Sequence, residues 1–169
     1  MENNETLDTY NRSSKELAEY FKGIGPRTKY IKQALELADK LDGSADALEL
    51  GCGDGRDAVE IIKRCQTYTG IDYSTGLIGL AEKLLPYADF RVADMQNFDY
   101  PYRKYDVVFA FASILHIDRA SLGDLLEVVA RSIKVGGIFY ITTEYAPRYK
   151  KKWKEDKHGR RLFYYYTPK

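Results

Sequence analysis

The chain has 169 residues, which at about 100 to 200 residues per domain allows one domain with at most a short appendage. Its composition, 44% hydrophobic, 14% aromatic and 30% charged, supplies a buried core and excludes a disordered or collagen-like chain. With 26 Lys and Arg against 25 Asp and Glu, the formal net charge of +1 excludes a global bias towards nucleic acid or an anionic membrane. Two cysteines, Cys52 and Cys65, build no disulfide framework and lack the clustered partners a zinc site needs, so a reducing cytoplasm is the expected location. The longest apolar run, Val107–Ala112, is far short of the roughly 20 residues of a membrane-spanning helix.

Helical spacing runs from Leu7 to Phe21 and from Arg27 to Leu41, where Ile31, Ala34, Leu35 and Ala38 follow the i, i+3, i+4, i+7 rule; Gly23-Ile24-Gly25-Pro26 separates the two. The pattern then becomes a short apolar run, Ala45 to Leu50, ended by Gly51-Cys52-Gly53-Asp54-Gly55, which reads as a buried strand meeting a glycine-rich turn. Ala58, Ile61, Ile62 and Cys65 mark a helix face. A strand over Thr67–Ile71, a helix over Thr75–Leu85 and strands over Asp89–Val92 and Asp106–Ala112 follow. Leu122, Leu125, Leu126, Val129 and Ile133 mark another helix, stopped at Gly136-Gly137 before a strand over Ile138–Thr143. This alternation predicts an α/β fold: a doubly wound, mainly parallel sheet with helices on both faces and ligands beyond the carboxyl ends of the strands.

The glycines follow a strand and open a helix, the context that gives a glycine pattern meaning. Their spacing is Gly-x-Gly-x-Gly, whereas a dinucleotide fingerprint needs a glycine or alanine where Arg56 stands. Glu49, just before the turn, places negative charge near the expected mouth, which disfavours a phosphate and favours a cationic ligand. Asp72 ends the next strand, where an acidic side chain accepts from both ribose hydroxyls, so the ligand is expected to contain ribose.

Ala47-Leu-Glu-Leu-Gly-Cys-Gly-Asp-Gly-Arg56, Gly70-Ile-Asp-Tyr-Ser74, Ala93-Asp-Met95, Tyr105-Asp-Val-Val108 and Ile133-Lys-Val-Gly-Gly137 resemble, in order, the successive motifs of the class I, Rossmann-like S-adenosylmethionine-dependent methyltransferases. The resemblance covers about residues 45 to 143. It implies S-adenosylmethionine as cofactor and S-adenosylhomocysteine as product, with the turn at Gly51, Cys52, Gly53 and Gly55 around the methionine moiety and Asp72 on the ribose. It further implies that Tyr73 packs on adenine, Asp94 accepts from the adenine amino group, the Met95 N–H meets the ring, and the Ala110 carbonyl receives the methionyl ammonium. Glu49 would then act at longer range or through water, and Arg56 would meet the cofactor carboxylate or serve as a surface arginine.

The implied reaction, transfer of a methyl group to a small-molecule acceptor by in-line displacement, depends mainly on positioning and exclusion of water. A general base matters only where the nucleophile arrives protonated. His116, in Ser113-Ile-Leu-His-Ile117 after the fourth strand, is the candidate base, with a structural histidine as the competing role. Ser113 with Tyr10 and Tyr20, from helices that often lid the site in this family, complete the candidate acceptor contacts; packing competes for each tyrosine. No metal is expected. The competing functions are a cofactor-binding or interaction protein without catalysis and, opposed by the glycine spacing, a nicotinamide-dependent oxidoreductase.

These expectations divide the chain into an N-terminal helical cap (1–43), a cofactor-binding core (44–145) and a basic, aromatic extension (146–169). Against the family's pattern the sheet lacks the C-terminal helix and last strands, and Thr167-Pro168 reads as a helix start. The strand over Ile138–Thr143 is then an open edge, suited to a second copy in a homodimer or to Leu162–Tyr166 folding back. Residues 148–161 carry eight Lys or Arg and two acids, net +6, leaving the remainder at −5. With Trp153 and Tyr164-Tyr165-Tyr166 nearby, this segment keeps nucleic acid open as a partner, a solvated loop being the preferred reading. No membrane partner is expected.

Overall fold

A computed structural model of the chain describes residues 2–167. Five parallel strands, β1 (Asp46–Leu50), β2 (Thr67–Asp72), β3 (Asp89–Val92), β4 (Tyr105–Phe111) and β5 (Ile133–Thr142), form one sheet in the order β3-β2-β1-β4-β5. The strand order reverses between β1 and β4, which opens a crevice at their carboxyl ends. Strand alternation sorts the core into two layers. Ala47, Val107, Phe109 and Phe111 pack with Ile31, Ala34 and Leu35 of α3 (Thr28–Leu37) and Ile61 of α4 (Ala58–Ile61). Leu48, Leu50, Val108 and Ala110 pack with Leu125 and Val129 of α6 (Arg119–Ser132) on the other face. All seven residues of β4 are buried, as expected of a central strand covered on both faces. α5 (Thr75–Leu84) covers the outer strands through Ile78 and Ala81 against Phe90.

Several boundaries differ from the sequence expectation. The first predicted helix is two, α1 (Glu2–Arg12) and α2 (Ser14–Ile24), broken at Ser13, whose hydroxyl donates to the His158 carbonyl. The helix after the glycine turn is a single α-turn followed by a 3₁₀ turn over Ile62–Arg64. Gly136-Gly137 does not stop a helix: both lie inside β5, where the pairing with β4 shifts register after Tyr105. Any Cβ at Gly137 would come within 2.7 Å of the Asp106 carbonyl oxygen, so the glycine serves this bulge. At the amino ends of the strands, away from the crevice, Lys134 Nζ bridges Asp46 (2.7 Å) and Asp106 (2.8 Å).

The largest departure is the extension. Instead of a solvated loop, Lys150–Asp156 (β6) and Gly159–Tyr165 (β7) form an antiparallel hairpin. Leu162–Tyr166 does not fold back along the strand over Ile138–Thr143; a single bridge joins Tyr145 to Tyr166. β7 instead lies against α1, and the hydroxyls of Thr6, Thr9 and Ser13, on one helical face, meet its backbone. Thr6 Oγ1 accepts from Leu162 N–H (2.9 Å), Thr9 Oγ1 donates to the Arg160 carbonyl (2.8 Å), and Ser13 reaches His158 (2.6 Å). The aromatics of the hairpin are occupied by its own cations: Arg160 lies 4.3 Å from the Trp153 ring centroid and Lys150 4.8 Å from that of Tyr165. The predicted helix start at Thr167-Pro168 reaches outside the described residues.

Candidate active site

A cavity of about 550 Å³ opens at the carboxyl ends of β1, β2 and β4, roofed by α1, α2 and the hairpin. Its floor is the turn after β1, where the three glycines do different work. Gly51 (φ +74°) lies so close to the chain after β4 that a Cβ would stand 2.3 Å from Ser113 Cβ. Gly53 (φ +59°) faces open space on the cavity side, while Gly55 (φ +82°) lets the turn pack on Ala81 and does not line the cavity. Each positive φ disfavours a side chain. Cys52, beneath the turn, is buried, and burial raises its thiol well above its ordinary value, which keeps it an inert packing residue.

Asp72 ends β2 beside this turn. Its Oδ2 accepts from Gly53 N–H (2.9 Å) and its Oδ1 from Ser74 N–H (2.8 Å). Burial raises its pKa, and these backbone donors oppose the rise. The carboxylate is thereby fixed with lone pairs left over for a ligand's hydroxyls. Tyr73, Asp94 and Met95 line the same end. Asp94 accepts from Gln96 N–H and Asn97 Nδ2, both at 2.9 Å, and the Met95 carbonyl accepts from Tyr100 O–H at 2.8 Å. Arg56 also lines the cavity; its Nη2 pairs with Asp57 at 2.7 Å and its guanidinium covers the Phe21 ring. Arg27 shares Asp57, so the buried carboxylate has two cationic partners.

Two expected cofactor contacts lie elsewhere. Glu49 is not at the mouth: its side chain lies buried on the α3–α4 face of β1 and accepts from Tyr68 O–H at 2.6 Å. Burial, with Asp57 nearby, pushes its carboxyl well up. The period-2 alternation that buries Ala47 also buries Glu49, a consequence of strand geometry that outweighs its charge. Ala110 is buried in β4 opposite Ile141 and does not line the cavity; Phe111, Ala112 and Ser113 do.

At the other end stands His116, in the 3₁₀ turn Ile114–His116. Its Nδ1 lies 2.7 Å from the Leu162 carbonyl oxygen and its Nε2 2.9 Å from the Tyr10 hydroxyl. Because the carbonyl only accepts, Nδ1 carries the proton and Nε2 accepts from Tyr10. Burial, reinforced by Arg161 and Lys154, lowers the imidazole pKa to about 4, so the ring is neutral at pH 7. Burial raises Tyr10, which keeps it a hydroxyl donor. Ser113 spends its hydroxyl on the Leu50 carbonyl (2.6 Å), fixing the loop. Tyr20 lines the cavity as a largely exposed rim residue.

The structure also brings in residues that the sequence reading left unassigned. Asp54 lines the cavity with its pKa raised to about 6 by burial. Lys154, Arg161 and Phe163 of the hairpin, with Glu144 from the chain after β5, form the facing wall. Their signal, alternate Lys154/Asp156 and Arg161/Phe163 around Gly159, is visible once the segment is read as a hairpin. Among the described residues, no group of three or more His, Cys, Asp or Glu could hold a metal ion, and no helix is long and apolar enough to cross a membrane.

Residues 47–137 match the family described as methyltransferase domain. The chain belongs to that family. Among its relatives, a probable S-adenosylmethionine-dependent methyltransferase of Mycolicibacterium smegmatis is 29% identical over 99 residues, 58% of this chain and 37% of that protein. A trans-aconitate 2-methyltransferase of an Azoarcus species is 28% identical over 126 residues, 73% of this chain and 48% of that one. The chain thus spans half or less of the length of these methyltransferase-domain relatives. Among solved structures, the sugar N-methyltransferase KedS8 from a Streptoalloteichus species superposes with a TM-score of 0.66 at 20% identity, covering 88% of this chain and 75% of that one. That likeness confirms the Rossmann-like methyltransferase fold.

Proposed function

We propose that the chain is a methyltransferase that binds S-adenosylmethionine between the Gly51–Gly55 turn and Asp94 and methylates a small molecule at the His116 end of the same cavity. The observation that carries this is continuity: Asp72, the glycine turn, Tyr10 and His116 line one cavity. The donor set fits the cofactor. Gly53 leaves room against the backbone, Asp72 offers a fixed carboxylate to the ribose, Tyr73 a ring face and Asp94 an acceptor to adenine. Arg56 has a buried Nε with no partner, placed for the cofactor carboxylate. The cofactor supplies an electrophilic methyl group on a sulfonium.

The chain's own residues then position the acceptor for in-line displacement and exclude water. Neutral His116 accepts a hydrogen bond at Nε2 and, with a pKa near 4, orients a nucleophile rather than storing its proton at neutral pH. Tyr10 holds that nitrogen in place until an acceptor replaces it. The Azoarcus relative is named for a carboxylic acid and KedS8 for a sugar, both small molecules, which supports that class of acceptor.

A second reading, cofactor binding without transfer, is supported by one observation: both ring nitrogens of His116 are already engaged. Calorimetric titration with S-adenosylmethionine and S-adenosylhomocysteine, with NAD as control, tests the shared part. Binding of both and not of NAD is expected; no binding by the folded chain refutes both readings. Turnover of any small-molecule acceptor excludes the second.

A further inference from the structure

We infer that the acceptor carries a carboxylate, and that Arg161 of the hairpin receives it. The inference rests on the methyltransferase reading and names the chemistry of its acceptor. Arg161 lines the cavity with its side chain only 12% exposed. Its Nη2 is held from outside by Asp156, which is 43% exposed. Its Nε is buried and has no hydrogen-bond partner. Among the described residues only Arg56 shares that condition, and Arg56 stands at the cofactor end.

A guanidinium N–H shut away from water without an acceptor is costly, and a ligand's acceptor relieves that cost. The surroundings set its charge. Around Arg161 stand Tyr10 (5.6 Å from the guanidinium carbon to the ring centroid), whose hydroxyl Arg161 also engages, Phe163 (5.9 Å), neutral His116 and Lys154, whose ammonium is already paired with Glu144 at 2.7 Å. The cavity's other carboxylates, Asp54, Asp57, Asp72 and Asp94, come from the glycine turn and the ends of β2 and β3. These acids gather at the cofactor end, where Arg56 stands, while the second buried, unpartnered cationic donor stands at the hairpin end. A buried Nε–H beside the rings of Tyr10 and Phe163 suits a carboxylate on an apolar body, which asks for fewer donors than a phosphate with about two charges and three acceptor oxygens. Tyr10 touches both Arg161 and the His116 Nε2 it donates to, so one small molecule can place a carboxylate on Arg161 and its reacting atom at His116.

The test uses the full chain saturated with S-adenosylhomocysteine and three probes sharing one body: phenylacetate, phenylacetamide and benzylphosphonate, each titrated by calorimetry. Phenylacetate is expected to bind at least about 10-fold tighter than the amide or the phosphonate, as for a hydrogen bond to a charged partner. Arg161→Gln is expected to abolish the preference for acid over amide while leaving S-adenosylhomocysteine affinity unchanged. Arg161→Lys, the variant that keeps the charge if the first folds poorly, is expected to retain a reduced preference. Equal binding of acid and amide, a preference that survives Arg161→Gln, a preference for the phosphonate, or no binding of any probe at millimolar concentration overturns the inference. Loss of S-adenosylhomocysteine binding by the wild-type chain is a different failure, that of the methyltransferase reading itself.

Discussion

Replacing Asp72 with alanine separates the two duties that the structure gives this carboxylate. In the free protein it accepts from Gly53 N–H at 2.9 Å and Ser74 N–H at 2.8 Å. Both are hydrogen bonds to a charged acceptor at a partly buried site, and removal leaves two backbone donors without a partner. The cost to stability is about 1 to 3 kcal/mol, the lower end applying if water fills the space. Loss of the ribose acceptor weakens cofactor binding by a further 1 to 3 kcal/mol, about 5- to 150-fold in Kd. Urea unfolding gives the first number and calorimetric titration with S-adenosylhomocysteine the second. Asp72→Asn keeps one oxygen acceptor but turns an amide donor towards the other N–H, so it is expected to fall between wild type and alanine in both. Because burial raises the Asp72 pKa, cofactor affinity is expected to weaken on acidification at a higher pH than for a free aspartate. An Asp72→Ala chain that is destabilised yet binds the cofactor with unchanged affinity refutes the ribose assignment and leaves Asp72 as a clamp for the glycine turn alone.

Stability should fall as pH drops from 6.5 towards 4, because folded His116, with its pKa near 4, stays neutral while the unfolded chain takes up a proton; this amounts to roughly 3 kcal/mol at most. Asp54, raised to about 6, acts in the opposite sense, so His116→Gln should flatten or reverse the slope of urea midpoints over this range. Gly51→Ala, whose Cβ would stand 2.3 Å from Ser113, should destabilise the fold by about 1 to 3 kcal/mol, whereas Gly53→Ala, open but at φ +59°, should cost about 1 kcal/mol and chiefly weaken cofactor binding. Thr6→Val leaves the Leu162 N–H unpaired and should cost about 1 to 3 kcal/mol, with faster amide exchange in β7 than in β4; equal exchange throughout would contradict a local role. Light scattering at high protein concentration tests the proposed homodimer through the open edge of β5, and a strictly monomeric profile refutes it.

The core was legible because its pattern has no competitor. Val107 to Phe111 is apolar on both faces and so is a buried strand, and the glycine turn, Asp72 and Asp94 lie where strand ends must lie in a parallel sheet. Pattern failed where one physical rule overrode another. Glu49 reads as a charge beside a turn, yet the alternation of β1 turns it inward to Tyr68. Gly136-Gly137 reads as a helix stop, yet a bulge needs the missing side chains more. The hairpin was hidden because β6 is Lys150-Lys151-Lys152 on one side of Trp153, a composition that looks solvated until Arg160, Lys154 and Glu144 are seen to cover the aromatic rings and one another.

α1 is tied to both ends of the cavity. β7 presents an open strand edge, which normally invites pairing with another chain. Here its backbone groups at 160 and 162, and that of His158 in the turn before it, meet the hydroxyls of Thr9 and Thr6 on α1 and of Ser13 just beyond its end, an arrangement that satisfies part of the edge without adding a strand. The same helix is anchored on its far side by Asn11 Oδ1, which accepts from Ser74 Oγ at 2.7 Å and lies 3.3 Å from the Gly76 N–H at the start of α5. Tyr10, one residue earlier, therefore has its position fixed from both the cofactor end and the hairpin end. On the proposed function, an acceptor that takes Tyr10's place on His116 does so beneath a helix hydrogen-bonded to the residues that follow Asp72.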